Sequence, residues 1–216
     1  MQKRGFISVV LALALGAATA LSAHAELTAG KEYFPVEPPQ VTEDAAKVEV
    51  LEFFSYGCIH CFRLHPFIKK WAAGAAKDVE FKRIPVTFDR PQMRPMAKLF
   101  YALEASGDMA KLDDEVFKAV HEQNVSLSTD KAVLDWVATK GVDVKKFTDA
   151  YNSFGVQSKV ARAEQLTKSY RVQGTPQVYV DGRFGVRNEG VSGYEQIPMI
   201  TSQLVDKARA EKGKKK

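Results

Sequence analysis

Val48-Glu49-Val50-Leu51-Glu52-Phe53-Phe54-Ser55-Tyr56-Gly57-Cys58-Ile59-His60-Cys61 is the stretch on which the reading of this chain turns. Val48 to Phe54 is short and dense in β-branched and aromatic side chains, as a buried strand should be. Ser55-Tyr56-Gly57 breaks it. From Cys58 onward, Phe62, Phe67, Ile68 and Trp71 keep roughly helical spacing up to Gly74, with Pro66 predicting a bend on the way. The cysteine pair therefore lies at a strand-to-helix turn with Cys58 at the helix N-terminus. Unpaired backbone N–H groups and the positive end of the helix dipole favour an anion there. Cys58 is expected to be a low-pKa thiolate, and Cys61, nearly one turn further in, to attack a mixed disulfide formed at Cys58.

The chain of 216 residues has no other cysteine. A bridge between two cysteines three apart closes almost no loop, so it would contribute little as a structural staple. The pair is expected to be there for its reactivity. The N-terminus supplies the compartment. Lys3 and Arg4 precede an apolar run from Phe6 to Leu15, and small residues then end in Ala23-His24-Ala25. That order predicts a secretory signal peptide over 1–25, cleaved before Glu26, because the run is too short for a comfortable membrane span. No later segment is apolar enough to cross a bilayer, so a soluble exported protein is expected.

Charge alone names no partner, and no nucleic-acid motif accompanies the basic residues. Lys3 and Arg4 account for two of the formal +5, and Lys207 to Lys216 hold much of the remainder. That tail reads as a frayed, solvated terminus, and basic residues elsewhere are mixed with acids.

Outward from the cysteines, Val79 to Val86 reads as a second strand. Helical spacing then dominates between about Arg90 and Tyr170. Met96, Leu99, Phe100 and Leu103 form one stripe, and Leu112, Val116, Phe117 and Val120 another. Ser128-Thr129-Asp130 predicts a helix start before Val133, and Gly141 its end. These stripes read as core. The β signal returns at Gln177-Val178-Tyr179-Val180, followed by Asp181-Gly182 and Arg183 to Val186, a hairpin pattern. Thr175-Pro176 stands just before it and is a candidate cis bond. A last helix is expected over Tyr194 to Ala210.

A strand, Cys-x-x-Cys on a helix start, then Thr-Pro before a hairpin and a final helix resemble the thioredoxin fold. Gly30-Lys31-Glu32-Tyr33, Val50 to Ser55, Tyr151-Asn152-Ser153-Phe154 and the wide gap between Cys61 and Pro176 resemble, more specifically, the DsbA family of periplasmic dithiol oxidases. The resemblance implies an α/β thioredoxin-like fold with an inserted all-helical domain. The expected organisation is a thioredoxin-like part over 26–89, a helical insertion over 90–170 and a second thioredoxin-like part over 171–216. It implies that Cys58 is the exposed nucleophile, Cys61 the buried resolving cysteine, and His60 a group that helps hold the Cys58 thiolate. Thr175 and Pro176 would lie beside the disulfide, where substrate backbone pairs. Glu52 matches a buried acid beneath Cys61, a candidate proton carrier; the alternative is an ion pair, with Arg83 the nearest choice, since buried acids need partners. Ile59 and Thr175 stand where the best-known oxidases carry proline and valine, and His65 where some relatives carry an acid. The implied partners are folding secreted proteins as substrates and a DsbB-like membrane protein as reoxidant. No cofactor beyond the Cys58–Cys61 disulfide is implied, and a periplasmic monomer is expected.

Other classes compete with this reading. Cys58, Cys61 and His65 give a C-x2-C-x3-H spacing compatible with zinc, although His121 and His24 make poor fourth ligands. A disulfide isomerase or reductase of the same fold is a second alternative, disfavoured by the short stretch between Ala25 and Cys58, which leaves no room for a dimerisation domain. A chaperone-like peptide binder with incidental thiols is a third.

Overall fold

The computed structural model describes residues 27–213; the expected signal peptide lies outside them. The strand Val48–Phe54 (β2) is buried at every position, because both of its faces are covered. Val48 and Val50 pack with Leu64 and Ile68 of the helix Ile59–Ala73 (α1) and Leu204 of the helix Gln196–Gly213 (α7). Leu51 and Phe53 belong to the opposite cluster, with Tyr170 and Tyr179. This two-sided burial explains the unbroken apolar character of the strand.

Tyr33–Pro35 (β1), β2, Val79–Pro85 (β3), Gln177–Val180 (β4) and Phe184–Val186 (β5) form one sheet in the order β1-β5-β4-β2-β3. β2 and β3 are parallel, joined through α1, whereas β4 runs antiparallel to β2 and β5 antiparallel to both β4 and β1. Five helices lie between β3 and β4: Arg94–Ser106 (α2), Met109–His121 (α3), Asp130–Ala138 (α4), Val144–Tyr151 (α5) and Phe154–Ser169 (α6). The arrangement is the thioredoxin-like α/β fold with a helical insertion.

α2 is the axis of the insertion, buried from Ala97 through Leu103. Lys98, also buried, is tolerated because its ammonium meets Asp130 at 2.8 Å and sits 3.9 Å from the Tyr151 ring centroid. Thr129, Asp143 and Ser153 each cap the next helix by accepting a backbone N–H three residues on. At α4 the cap was legible, but the helix stops at Ala138, before the expected Gly141, whose positive φ serves the turn beyond.

Two expectations change, and one strand is added to those the sequence marks. β1 carried no strand signal of its own: three residues, closed by a proline, pair only at the sheet edge. The last helix begins at Gln196 rather than Tyr194 and reaches Gly213. The basic residues after Lys207 are not a frayed tail as far as Gly213, because acids await them. Arg209 meets both oxygens of Asp78 at 2.7 Å, and Lys212 lies 2.7 Å from Asp181.

The β4–β5 turn places Asp181 and Gly182 both at positive φ, and the Arg183 N–H closes it by donating to the Val180 carbonyl at 3.1 Å. A Cβ on Gly182 would lie 2.1 Å from the Gln40 carbonyl oxygen, so only glycine fits. Gly182→Ala should therefore destabilise the protein by about 2–3 kcal/mol in a denaturant titration. A midpoint equal to the parent's would show that the Gln40 segment does not pack there.

Candidate functional site

β2 ends, Ser55-Tyr56-Gly57 turns the chain, and α1 begins at Ile59 with Cys58 as its N-cap residue. Cys58 has extended backbone angles, and its Sγ accepts the Cys61 backbone N–H at 3.4 Å. A sulfur thus occupies the position that a serine or aspartate oxygen takes at ordinary helix starts. The turn is braced from the insertion: Nε2 of His121 on α3 lies 2.8 Å from the Tyr56 carbonyl, and the His121 ring stacks on Phe62.

Thr175 arrives from the other side. The Thr175–Pro176 bond is cis, as expected, and the Thr175 carbonyl oxygen lies 3.2 Å from Cys58 Sγ, within reach of the thiol proton. The two cysteines differ sharply in environment. Cys58 is half-buried, and its pKa is brought down to about 5, chiefly by the facing Cys61 thiol. The Thr175 side chain and the backbone N–H groups of Cys61 and His60 add to this, while burial works against it. Cys61 is fully buried, and burial pushes its thiol well up, reinforced by the facing Cys58 and by Glu52.

His60 stands exposed on the first turn of α1. Its backbone N–H acts on the Cys58 sulfur, but its ring Nδ1 lies 2.7 Å from the Tyr194 hydroxyl. Beside the pair runs a groove of about 440 Å³, lined by His60, Thr175, Pro176, Val191, Tyr194 and Ile197 among others.

Beneath the pair, Glu52 is 1 % exposed and accepts from Arg83 Nε at 3.0 Å. Burial raises its pKa, Arg83 opposes that, and the charges of Asp113 and Cys58 reinforce it. The expected alternative for Glu52, the Arg83 pair, is thus present, and the acid also acts on Cys61. Arg83 Nη1 reaches both oxygens of Asp113 on α3, at 2.9 and 2.8 Å, and its guanidinium lies 3.9 Å from the Phe54 ring centroid. Asp113 also accepts from the Tyr56 hydroxyl at 2.6 Å.

His65 does not join the cysteines. Its Nε2 faces Asp114 at 2.8 Å and Asp113 at 3.4 Å. Among the described residues the one trio of metal-ligand type is His65, Asp113 and Asp114, whose acids already meet Arg83 and Lys69. The zinc spacing in the sequence therefore does not become a ligand set around the cysteines. Sequence reasoning missed Asp113, His121 and Tyr194. No local signal marks them, since their partners lie 30 to 134 positions away.

Arg83 neutralises two buried carboxylates at once. Arg83→Met should cost about 3–5 kcal/mol at neutral pH, because it strands both acids. The loss should shrink as pH falls and Glu52, whose pKa burial raises, takes up a proton, which denaturant titrations at neutral and acid pH would show. An equal loss at both would mean that the contribution is packing alone.

Comparison with known proteins agrees with this geometry. The family described as DSBA-like thioredoxin domain matches residues 49–205. The thiol:disulfide interchange protein DsbA of Burkholderia cepacia is 42% identical over 205 residues, 94% of each chain. Its counterpart in Pseudomonas aeruginosa is 33% identical over 199 residues, 92% of this chain and 94% of that protein. The crystal structure of Pseudomonas aeruginosa DsbA superposes with a TM-score of 0.80 at 34% identity, covering 86% of this chain and 96% of that one. The oxidoreductase NmDsbA1 of Neisseria meningitidis gives 0.80 at 30% identity, covering 88% and 98%. The chain belongs to the DSBA-like thioredoxin domain family.

Proposed function

We propose that this protein is a thiol:disulfide oxidoreductase that donates its Cys58–Cys61 disulfide to folding secreted proteins in the periplasm. The observation that carries the reading is the asymmetry of the pair: an accessible sulfur stabilised as thiolate, facing a buried one that is not. A client thiolate attacks Cys58 Sγ, the Cys58–Cys61 bond breaks, and Cys61 leaves. Because burial disfavours its thiolate, Cys61 takes up a proton, and Glu52 is the acid in place to supply it. A second client thiolate then attacks the client sulfur of the mixed disulfide. Cys58 departs as a thiolate, a good leaving group because its pKa is low. The client loses two electrons and two protons. One of those protons ends on Cys61 and the other in solvent, since Cys58 leaves as a thiolate. A DsbB-like membrane protein takes the two electrons from the reduced pair, and no cofactor other than the disulfide is required.

His60 contributes its backbone N–H and, in this reading, its imidazole to the Cys58 thiolate. Thr175 and Pro176 present backbone to an extended client along the adjoining groove. Residues 26–89 and 171–216 act as the redox module and 90–170 as its helical cover, in a monomer exported by residues 1–25. Low Cys58 pKa stabilises only the dithiol state, which favours oxidation of clients over the isomerase or reductase alternative.

Cys58→Ser should abolish disulfide transfer to a reduced client. Cys61→Ser should leave Cys58 able to capture disulfide-bearing partners but not to release them, so mixed disulfides accumulate on non-reducing gels. Capture by Cys58→Ser through Cys61 would reverse the assignment of the two roles.

A further inference from the structure

The loop that leads into α7 is held more firmly than its exposure suggests. Asn188 donates to the Pro176 carbonyl at 2.6 Å, tying the loop to the cis-proline segment. Gly190 sits so close to the Lys31 carbonyl that a Cβ would lie 2.1 Å from its oxygen. At the far end Ser192 and Gln196 exchange two hydrogen bonds, at 3.0 and 2.7 Å, and Ile197 is buried. Tyr194 lies within this clamp, its ring packed against the sheet–helix core. Its hydroxyl is consequently a fixed point, and it reaches across the groove to His60 Nδ1 at 2.7 Å.

His60 is in the opposite situation. It is exposed on a helix surface, where an imidazole ordinarily samples several rotamers. The Tyr194 hydroxyl is the hydrogen-bond partner of its ring among the described residues. A phenol can donate to the neutral ring or accept from the charged one, so the contact survives either protonation state. With Nδ1 occupied, Nε2 is the ring nitrogen left to a thiolate or a client.

We infer that Tyr194 is the positioning residue of His60: anchored by the α7 loop, it fixes the imidazole at the mouth of the client groove. This rests on the reading of His60 as a partner of the Cys58 thiolate. It also links the groove to the redox centre. A client that displaces the loop releases the histidine in the same movement.

The test compares four proteins: the parent, Tyr194→Phe, His60→Ala and the double variant. Each is titrated for the ultraviolet absorbance of the Cys58 thiolate and equilibrated with glutathione. Tyr194→Phe keeps the ring and its packing, so its unfolding midpoint should match the parent's within each redox form to within the effect read at the thiolate. It should raise the Cys58 pKa and shift the glutathione equilibrium toward a weaker oxidant by about two- to tenfold, the size of one hydrogen bond's net contribution. In the His60→Ala background the same substitution should change nothing. A Tyr194→Phe shift that persists without His60, or no shift where His60→Ala has one, overturns the inference while sparing the role of His60. No shift from His60→Ala alone removes the role of His60 first and the inference with it.

Discussion

A thiolate at Cys58 is held by the facing Cys61 thiol and by N–H groups that exist only because a helix begins one residue later, and the rest of the site is arranged around that contact. The first turn of any α-helix leaves backbone donors without partners. Serine or aspartate usually answers them with oxygen; here a sulfur does, and its charge is stabilised by the same donors. The contact depends on where β2 stops. Seven residues buried on both faces fix the end of that strand, and the Ser55–Gly57 turn then delivers Cys58 to the helix start.

The insertion is more than a cover. His121 supports the turn through the Tyr56 carbonyl, and Asp113 shares Arg83 with Glu52. Through Arg83 a helix some thirty positions away sets the electrostatic surroundings of the acid beneath Cys61. Asp113 draws the guanidinium away from exclusive pairing with Glu52 and adds its own negative charge, and both effects favour the protonated acid. A buried carboxyl that can hold a proton is what a buried leaving thiolate needs.

What was legible in the sequence was what is local. β2, the α1 start, the Asp181-Gly182 turn and the Thr129 cap each follow from a few consecutive residues. The cysteine pair was readable for the same reason: three positions on a helix start already define its chemistry. What could not be read depends on distant partners. Tyr33–Pro35 is a strand only because β5 lies beside it, and Arg209 and Lys212 are ordered only because Asp78 and Asp181 face them. Glu52 was ambiguous between proton carrier and ion pair. The structure shows the ion pair, with Arg83 divided between two acids, while burial still raises the pKa of Glu52.

The central claim is that folding stabilises the Cys58 thiolate, and so the dithiol over the disulfide. Its most direct test is parallel denaturation of the two redox forms across pH. With the folded pKa brought down to about 5, the stabilisation is complete above the ordinary thiol pKa of about 8.5 and is lost as pH falls through about 5. Each pH unit in between is worth about 1.4 kcal/mol at most, and solvent at the half-exposed sulfur screens part of that, leaving about 1–2 kcal/mol in total at neutral pH. The reduced form should therefore unfold at higher denaturant concentration than the oxidised form at neutral pH, with the gap closing toward acid. An oxidised form that is the more stable at neutral pH, or a gap indifferent to pH, would contradict the account.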